Sequence, residues 1–256
     1  MSYYFNNGGG SWVQRIPQAT RALLIINIAV WLLCALNSQF NYITISRLGL
    51  HFWESRMFNP LQLVTYQFVH GGVTHIFFNM FALYMFGSLL ERVWGTGRYL
   101  LFYFICGIGA GLVQEVIWSI SWQHEYISAV AADNGLSYNY IKDTIQSQIQ
   151  EGAPERMGNV AQFWNMLITV GASGAIFGLL VGFAFVFPNM PMYIFFIPVP
   201  IKAKYIVIGY GLIEIVFGAT GALNSVAHYA HIGGMLFGLI IVLYWRYKGN
   251  LYGKRF

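Results

Sequence analysis

The segment Val170–Phe187, VGASGAIFGLLVGFAFVF, is charge-free and apolar enough to form a buried helix. It carries one hydroxyl nucleophile, Ser173, and its glycine and alanine neighbours let other groups approach that hydroxyl closely. Gly174, Gly178 and Gly182 recur at four-residue spacing, which is typical of the face on which membrane helices pack tightly. Taken alone, the segment is equally typical of a packing face whose serine bonds to a carbonyl one turn earlier.

The composition indicates a membrane protein. Only 9% of the 256 residues are charged, 57% are hydrophobic and 18% are aromatic, whereas a soluble domain carries about 25% charged residues. The net charge of +5 is better explained by orientation in a bilayer than by nucleic acid, because no basic patch alternates with aromatic residues. Cys34 and Cys106 lie inside apolar runs, so we expect no disulfide. The composition thus predicts a multi-pass helical bundle.

A membrane-spanning helix needs about 20 mostly apolar residues. Six segments are candidates, the first of which is short but can be extended by Thr20 and Asn37. We predict one transmembrane helix for each of them: Ala22–Leu36, Thr74–Leu90, Tyr99–Ile120, Gly171–Phe187, Tyr205–Leu223 and Ser225–Tyr244.

Lysine and arginine predict the orientation, because short cytoplasmic segments are enriched in them. With the N-terminus inside, the inner segments hold ten Lys and Arg residues and the outer segments hold four. We therefore expect both termini in the cytoplasm and the protein in the cell membrane. The expected organisation is a tail over 1–20, a six-helix membrane domain over 21–246 with an extracytoplasmic insert over 121–159, and a tail over 247–256.

Three outer segments have distinct characters. Asn37–Val73 mixes aromatic, apolar and polar residues, which favours a loop in the membrane interface. The insert Ser121–Asn159 is polar and holds five of the nine acidic residues, and within it Tyr138–Ile149 predicts a short amphipathic helix. Val160–Val170 has no charge, so it can dip below the lipid headgroups if protein covers its backbone.

His231 is a polar residue inside the predicted sixth span. Because such residues are costly in a membrane, it is a candidate functional residue. Gly234 and Gly238 share its helical face, and this face complements the glycine face of the Ser173 helix. If the two faces pack together, His231 approaches Ser173 and can accept its proton, as a serine nucleophile requires. The alternative is a core histidine bonded to a carbonyl. His228 lies nearer the outer end, and we expect it to be interfacial.

His75 and Asn79 lie four residues apart, so they share one face of the second span. They are either a polar pair between helices or hydrogen-bond donors that stabilise an oxyanion together with the Ser173 amide. Spans two, four and six all run from outside to inside and begin just before these residues. At about 1.5 Å per residue, four polar residues therefore lie at one depth near the outer boundary, as a hydrolytic site requires: His75, Asn79, Ser173 and His231.

Three motifs together resemble the rhomboid family of intramembrane serine proteases. They are HIFFN at His75–Asn79, GASG at Gly171–Gly174 and AHIGG at Ala230–Gly234, in the order of the family and on its spans. The segment LLERVWGTGR at Leu89–Arg98 is similar to the inner turn between the second and third helices of the family. The resemblance covers roughly Leu61–Tyr244.

The resemblance implies an all-α membrane protein, a six-transmembrane-helix bundle of rhomboid type that cleaves transmembrane protein substrates within or next to the lipid bilayer. It implies a Ser-His dyad without the third carboxylate of soluble serine proteases, with no cofactor and no metal. The site would open to the extracytoplasmic side, and span five would stand where the family has its proposed lateral gate. The implied site comprises Ser173 as nucleophile, His231 as general base and acid, His75, Asn79 and the Ser173 amide as oxyanion hole, and Gly171 and Gly174 as close-approach glycines.

The chain departs from the family pattern at three places. The insert over 121–159 is additional to the basic bundle. Leu61 and Gln62 stand where well-known bacterial members carry a Trp-Arg pair, so we expect different packing of the first loop. Phe177 occupies the position at which some members use Tyr to pack on the histidine, so we expect ring packing without the phenol hydroxyl.

Two carboxylates also need an explanation. Glu214 lies inside span five, where we expect its carboxyl to be protonated or bonded to another helix, with a proton relay as the functional alternative. Glu91, close to Arg92 and Arg98, is expected to form a structural ion pair or to cap a turn at the inner surface.

Three alternatives to a serine protease differ in their requirements. A non-proteolytic membrane-protein binder of rhomboid-like fold would not need both Ser173 and His231. A transporter would spread its polar groups through the bilayer and show internal repeats. A metalloprotease would need an H-E-x-x-H helix, which the sequence lacks, and His228 with His231 supplies too few metal ligands.

Overall fold

The computed structural model describes residues 16–150, 158–193, 199–220 and 227–252, and in them the chain is an α-helical bundle with two short strand pairs. The helices are α1 (Gln18–Leu36), α2 (Ser38–Leu48), α3 (Gln62–Thr65), α4 (Val73–Ala82), α5 (Ser88–Trp94), α6 (Thr96–Asn134), α7 (Tyr138–Gln150), α8 (Gly158–Met166), α9 (Ser173–Val186), α10 (Ala203–Thr220) and α11 (His228–Tyr247). The strands are β1 (Leu50–His51), β2 (Ile168–Thr169), β3 (Pro191–Met192) and β4 (Ile201–Lys202).

Five helices in the described ranges are long and apolar enough to cross a membrane. They are α1, the continuous Val73–Trp94 segment in which a π-helical stretch joins α4 to α5, α6, α10 and α11. All five correspond to predicted spans, although the predicted end of span five at Leu223 and start of span six at Ser225 lie outside the described residues.

The predicted fourth span is shorter than expected. Helix α9 has only 14 residues, so it is about 21 Å long and does not match a hydrocarbon core of about 30 Å. It begins at Ser173 because Gly171 adopts φ of +123°, outside the helical region, and it ends before Pro188, which cannot continue a helix. The neighbouring helices bury α9, so it is the central helix of the bundle.

Helices α9 and α11 meet along a glycine seam, which consists of Gly174, Gly178, Gly234 and Gly238. A Cβ atom on Gly234 would overlap the carbonyl of Gly174, and one on Gly238 would lie 3.0 Å from the Gly178 backbone. The backbones therefore touch directly, as small residues allow in membrane helices. This contact confirms that the two glycine faces pack together.

Gly182 is the exception to the predicted packing face. A Cβ atom at Gly182 would lie 2.6 Å from the indole of Trp94 and 3.3 Å from the ring of Phe102. The reason is geometric: α9 is surrounded by helices, and its C-terminal half lies against the large aromatic residues of α5 and α6. Gly174 and Gly178 also make room for side chains of α6, since their Cβ atoms would lie 2.4 Å from Ala110 and 2.5 Å from Cys106, but they lie beside the α11 backbone as well, which Gly182 does not.

The segment before α4 is folded and attached to the chain that leads into α9. Strand β1 pairs antiparallel with β2, Leu50 opposite Thr169 and His51 opposite Ile168. The side chain of Gln62 is buried and bonds within this segment, donating to the carbonyl of Met57 at 2.9 Å. Gln62 thus organises the first loop by neutral hydrogen bonds at the place where the resemblance pointed to different packing.

The insert begins with an unbroken helix. Span three was predicted to end at Ile120, but α6 continues to Asn134, where Gly135 with φ of +63° closes it. The polar residues after Ile120 are compatible with a helix that extends beyond the predicted span, so the helix is longer than the apolar run within it. The predicted amphipathic helix is confirmed as α7, which packs with the end of α6 and with α8 around a small second core. Residues 151–157 of the insert lie outside the described ranges.

Glu91 caps the start of α1. Its carboxylate accepts hydrogen bonds from the backbone N–H groups of Ala19 and Thr20, at 2.9 and 2.7 Å, and from the Thr96 hydroxyl at 2.8 Å. Helix N-termini leave such N–H groups unpaired, and a carboxylate also complements the helix dipole. The capping part of the prediction is confirmed. Arg98 instead bonds to the carbonyl of Asn250 and lies over Trp245.

The glycine seam gives a stability prediction. We expect Gly234→Ala to destabilise the protein by about 1–3 kcal/mol and to lower Tm by at least about 3 °C, because the new methyl group forces α9 and α11 apart. Gly209→Ala on α10 is the matched control, since a Cβ atom there meets nothing within 4 Å. Thermal unfolding in detergent micelles measures both variants, and equal Tm values for them would contradict a close backbone contact.

Candidate active site

Ser173 is the first residue of α9 and is presented by a strained turn. Gly171, two residues earlier, has φ of +123°, a conformation that residues with a side chain rarely adopt. Its N–H donates to the carbonyl of Tyr66 at 2.9 Å, which ties the turn to the outer segment. Because Ser173 begins the helix, its own N–H has no carbonyl partner within the helix.

The structure brings Ser173 and His231 together. The Ser173 Oγ lies 2.8 Å from Nε2 of His231, a distance at which the hydroxyl donates to the neutral ring. The ring of Phe177 stacks on the His231 ring, with centroids 4.2 Å apart and planes 12° apart. The expected ring packing at Phe177 is therefore present, and it limits the orientations available to the imidazole.

His75 and Asn79 face the turn that precedes Ser173. A Cβ atom on Gly171 would lie 2.6 Å from Nε2 of His75 and 3.8 Å from Nδ2 of Asn79. The N–H of Gly71 donates to Nδ1 of His75 at 3.4 Å, which assigns the ring proton to Nε2, on the side of the turn. The structure thus places one ring N–H and one amide NH₂ beside the backbone of the GASG motif.

Sequence reasoning missed His70, which precedes α4. It is 3% exposed, and its ring lies edge-on to the ring of His75 with centroids 5.0 Å apart. Burial and the neighbouring His75 lower the pKa of His70 to about 3, so its ring is neutral at physiological pH. The spacing HGGVTH, with a second histidine just before the motif, was the available signal.

The structure also places a carboxylate beside the site, contrary to the expected Ser-His dyad without one. Oε1 of Glu214 lies 3.1 Å from Nδ1 of His231, and Oε2 lies 2.6 Å from Nδ1 of His228. The His231 ring does not point its Nδ1 squarely at the carboxylate, so that contact is electrostatic and not an aligned hydrogen bond. Glu214 is bonded to another helix as expected, and His228, which was expected to be interfacial, is 6% exposed and hydrogen-bonded to this carboxylate.

Glu214, His228 and His231 also form a group that could hold a metal ion, since their ligand atoms lie within 4.8 Å of one another. Ligand atoms around a tetrahedral zinc ion, each about 2.0–2.2 Å from it, are about 3.3 Å apart. The Glu214–His228 distance of 2.6 Å is too short for two such ligands and suits a shared proton. The arrangement found in the structure is therefore that of a hydrogen-bonded cluster.

Chemically, the site combines the groups needed for acyl transfer. Ser173 supplies a hydroxyl whose proton can pass to His231. The N–H of Ser173, at the first position of α9, and the donors of His75 and Asn79 nearby can stabilise negative charge on a carbonyl oxygen.

Comparisons with known proteins agree with the motifs. The family model of the Rhomboid domain matches residues 57–248. RHOMBOID-like protein 12, mitochondrial, of Arabidopsis thaliana is 25% identical over 237 residues, which cover 91% of this chain and 60% of that protein. RHOMBOID-like protein 4 of the same plant is 27% identical over 182 residues, covering 70% of this chain and 32% of that protein.

A bacterial relative matches over a shorter region. Rhomboid protease GluP of Bacillus subtilis (strain 168) is 38% identical over 55 residues, 22% of this chain and 11% of that protein. The chain thus spans less than two thirds of the length of these relatives. Since the domain match extends over most of the chain, and the fold is helical with several membrane-spanning helices, this chain belongs to the rhomboid family of multi-pass membrane proteins.

Proposed function

We propose that the protein is an intramembrane serine endopeptidase that cleaves transmembrane protein substrates within or next to the bilayer. The observation that carries this proposal is the 2.8 Å contact between the Ser173 Oγ and Nε2 of His231. A non-proteolytic binder of the same fold has no need for a nucleophile and a base in hydrogen-bond contact. The name of the bacterial relative, a rhomboid protease, is consistent with this proposal.

In the proposed mechanism, the Ser173 oxygen attacks the scissile carbonyl while its proton passes to Nε2 of His231. The carbonyl oxygen becomes an oxyanion, which the Ser173 N–H, His75 and Asn79 stabilise. The C–N bond then breaks, and His231 gives its proton to the departing amine. Water attacks the acyl-enzyme, loses a proton to His231, and releases the second product and the Ser173 hydroxyl.

The proposed site opens to the extracytoplasmic side, where water can reach it. The distribution of Lys and Arg, ten on the inner and four on the outer segments, supports this orientation. Helix α10 is a candidate gate for substrate helices, because only 22% of its most apolar 18-residue stretch is buried. A transmembrane substrate would reach Ser173 from the lipid and expose its cleavage site where its helix unwinds.

The first test of this function is cleavage of a substrate with one transmembrane helix by the purified protein. We expect Ser173→Ala and His231→Ala each to lower kcat by about four orders of magnitude or more, because neither half of the pair works alone. Ser119→Ala and His124→Ala are matched controls, since both residues bond elsewhere, to Glu115 and Tyr138. Cleavage by either site variant at the parent rate would refute the mechanism and favour a non-proteolytic rhomboid-like binder.

The oxyanion role of Asn79 makes a separate prediction. We expect Asn79→Ala to lower kcat about 10²–10³-fold with little change in KM, because an oxyanion donor acts mainly in the transition state. Asn27→Ala is the control, as Asn27 is equally buried but bonds to the carbonyl of Leu23 within α1. Steady-state kinetics on the same substrate measure both constants, and a parent-like kcat for Asn79→Ala removes Asn79 from the site.

A further inference from the structure

We propose that Glu214 is a positioning residue for His231, so that this rhomboid carries a Ser-His-Glu triad in which His228 holds the carboxylate. The inference deepens the proposed function and rests on it. It starts from one buried carboxylate, 7% exposed, that touches two histidines of the neighbouring helix.

The contacts of the two ring nitrogens of His231 support this role. The His231 ring stands between two partners, with Nε2 at 2.8 Å from the Ser173 hydroxyl and Nδ1 at 3.1 Å from the Glu214 carboxylate. Nε2 can accept the serine proton only if the ring proton is on Nδ1. A carboxylate is an acceptor, so Glu214 favours the tautomer that the reaction needs. The imperfect alignment of this contact is common before substrate binds.

The second step concerns the other oxygen of the carboxylate. Oε2 accepts from Nδ1 of His228 at 2.6 Å, and His228 is 6% exposed. One histidine would be enough to satisfy a structural carboxylate in this helix. Oε1 is nevertheless directed to Nδ1 of His231, the ring nitrogen that does not face Ser173. The bond between Oε2 and His228 holds the carboxylate in this position.

The third step is energetic. When His231 takes the proton of Ser173, the imidazolium forms on a side chain that is 7% exposed, where an uncompensated charge is costly. A carboxylate at 3.1 Å offsets this charge, as the acid does in soluble triads. The benefit exists only after proton transfer, so Glu214 affects kcat more than KM.

The experiment measures kcat, KM and Tm for Glu214→Gln and Glu214→Asp on the substrate with one transmembrane helix. We expect Glu214→Gln to lower kcat by about 10²–10⁴-fold with KM within about threefold, because an amide can present its NH₂ to Nδ1 and favour the wrong tautomer. Glu214→Asp keeps the charge with a shorter side chain, and we expect kcat to fall about tenfold from the parent and to exceed that of the Gln variant.

The matched control is Glu115→Gln. Glu115 is a buried carboxylate in helix α6, 1% exposed, that accepts a hydrogen bond from the N–H of Trp53. We expect its kcat to stay within about threefold of the parent, since the same chemical change is made away from the reacting groups.

A fluorophosphonate probe gives a readout that does not depend on substrate. Attack by the Ser173 oxygen forms a P–O bond and expels fluoride while the proton passes to His231, so the labelling rate should fall in parallel with kcat in Glu214→Gln. A structural role alone would lower Tm and leave the labelling rate of the folded fraction unchanged. If the Gln variant does not fold, the Asp variant decides: a reduced kcat at parental Tm supports the triad, and a parental kcat refutes it.

The remaining outcomes separate the two proposals. A parent that neither cleaves nor labels at Ser173 overturns the protease and the triad together. A parent that cleaves, with Glu214→Gln at the same kcat and labelling rate, overturns the triad alone. Loss of parental activity with a chelator and its return with Zn²⁺ would show that the cluster of Glu214, His228 and His231 binds metal, which also overturns the triad.

Discussion

The direct contact between the backbones of α9 and α11 is the constraint on which the site depends. The glycine seam brings these helices closer than side chains would allow, with Gly238 packed against Gly178. That approach fixes the distance between the residues near the outer ends of the two helices, Ser173 and His231. Phe177 then fixes the ring orientation by stacking. Transmembrane helices have no hydrophobic driving force for packing against each other. Ser173 and His231 therefore meet because glycines on both helices lack Cβ atoms and let the two backbones touch.

Much of this arrangement could be predicted from the sequence alone. Apolar runs located the spanning helices, and the repeat of small residues predicted which two of them pack together, because both signals are local. Hydropathy could not predict the length of α9. The residues just before Ser173 are as apolar as the helix, but Gly171 has a backbone conformation that is not helical. The continuation of α6 to Asn134 was not predicted for the opposite reason: the composition becomes polar after Ile120 while the helical conformation continues.

Contacts between distant segments account for the parts of the site that sequence reasoning did not find. A carboxylate in span five had to have a partner because of its desolvation cost, but no spacing rule links Glu214 on α10 to His228 and His231 on α11. Gly182 illustrates the same limit, since its periodicity placed it on the shared face while its neighbours are Trp94 and Phe102. Periodicity identifies a face of a helix but cannot say which element covers it.

The pairing of β1 with β2 has a mechanical consequence. Two antiparallel residue pairs and the bond from the Gly171 N–H to Tyr66 tie the outer segment to the chain immediately ahead of Ser173. Moving the segment before α4 away from the site would break these bonds and displace Ser173 relative to His231. The segment before α4 is therefore part of the frame that positions Ser173. Under the proposed function, a substrate helix would enter sideways, between helices, with this frame left in place.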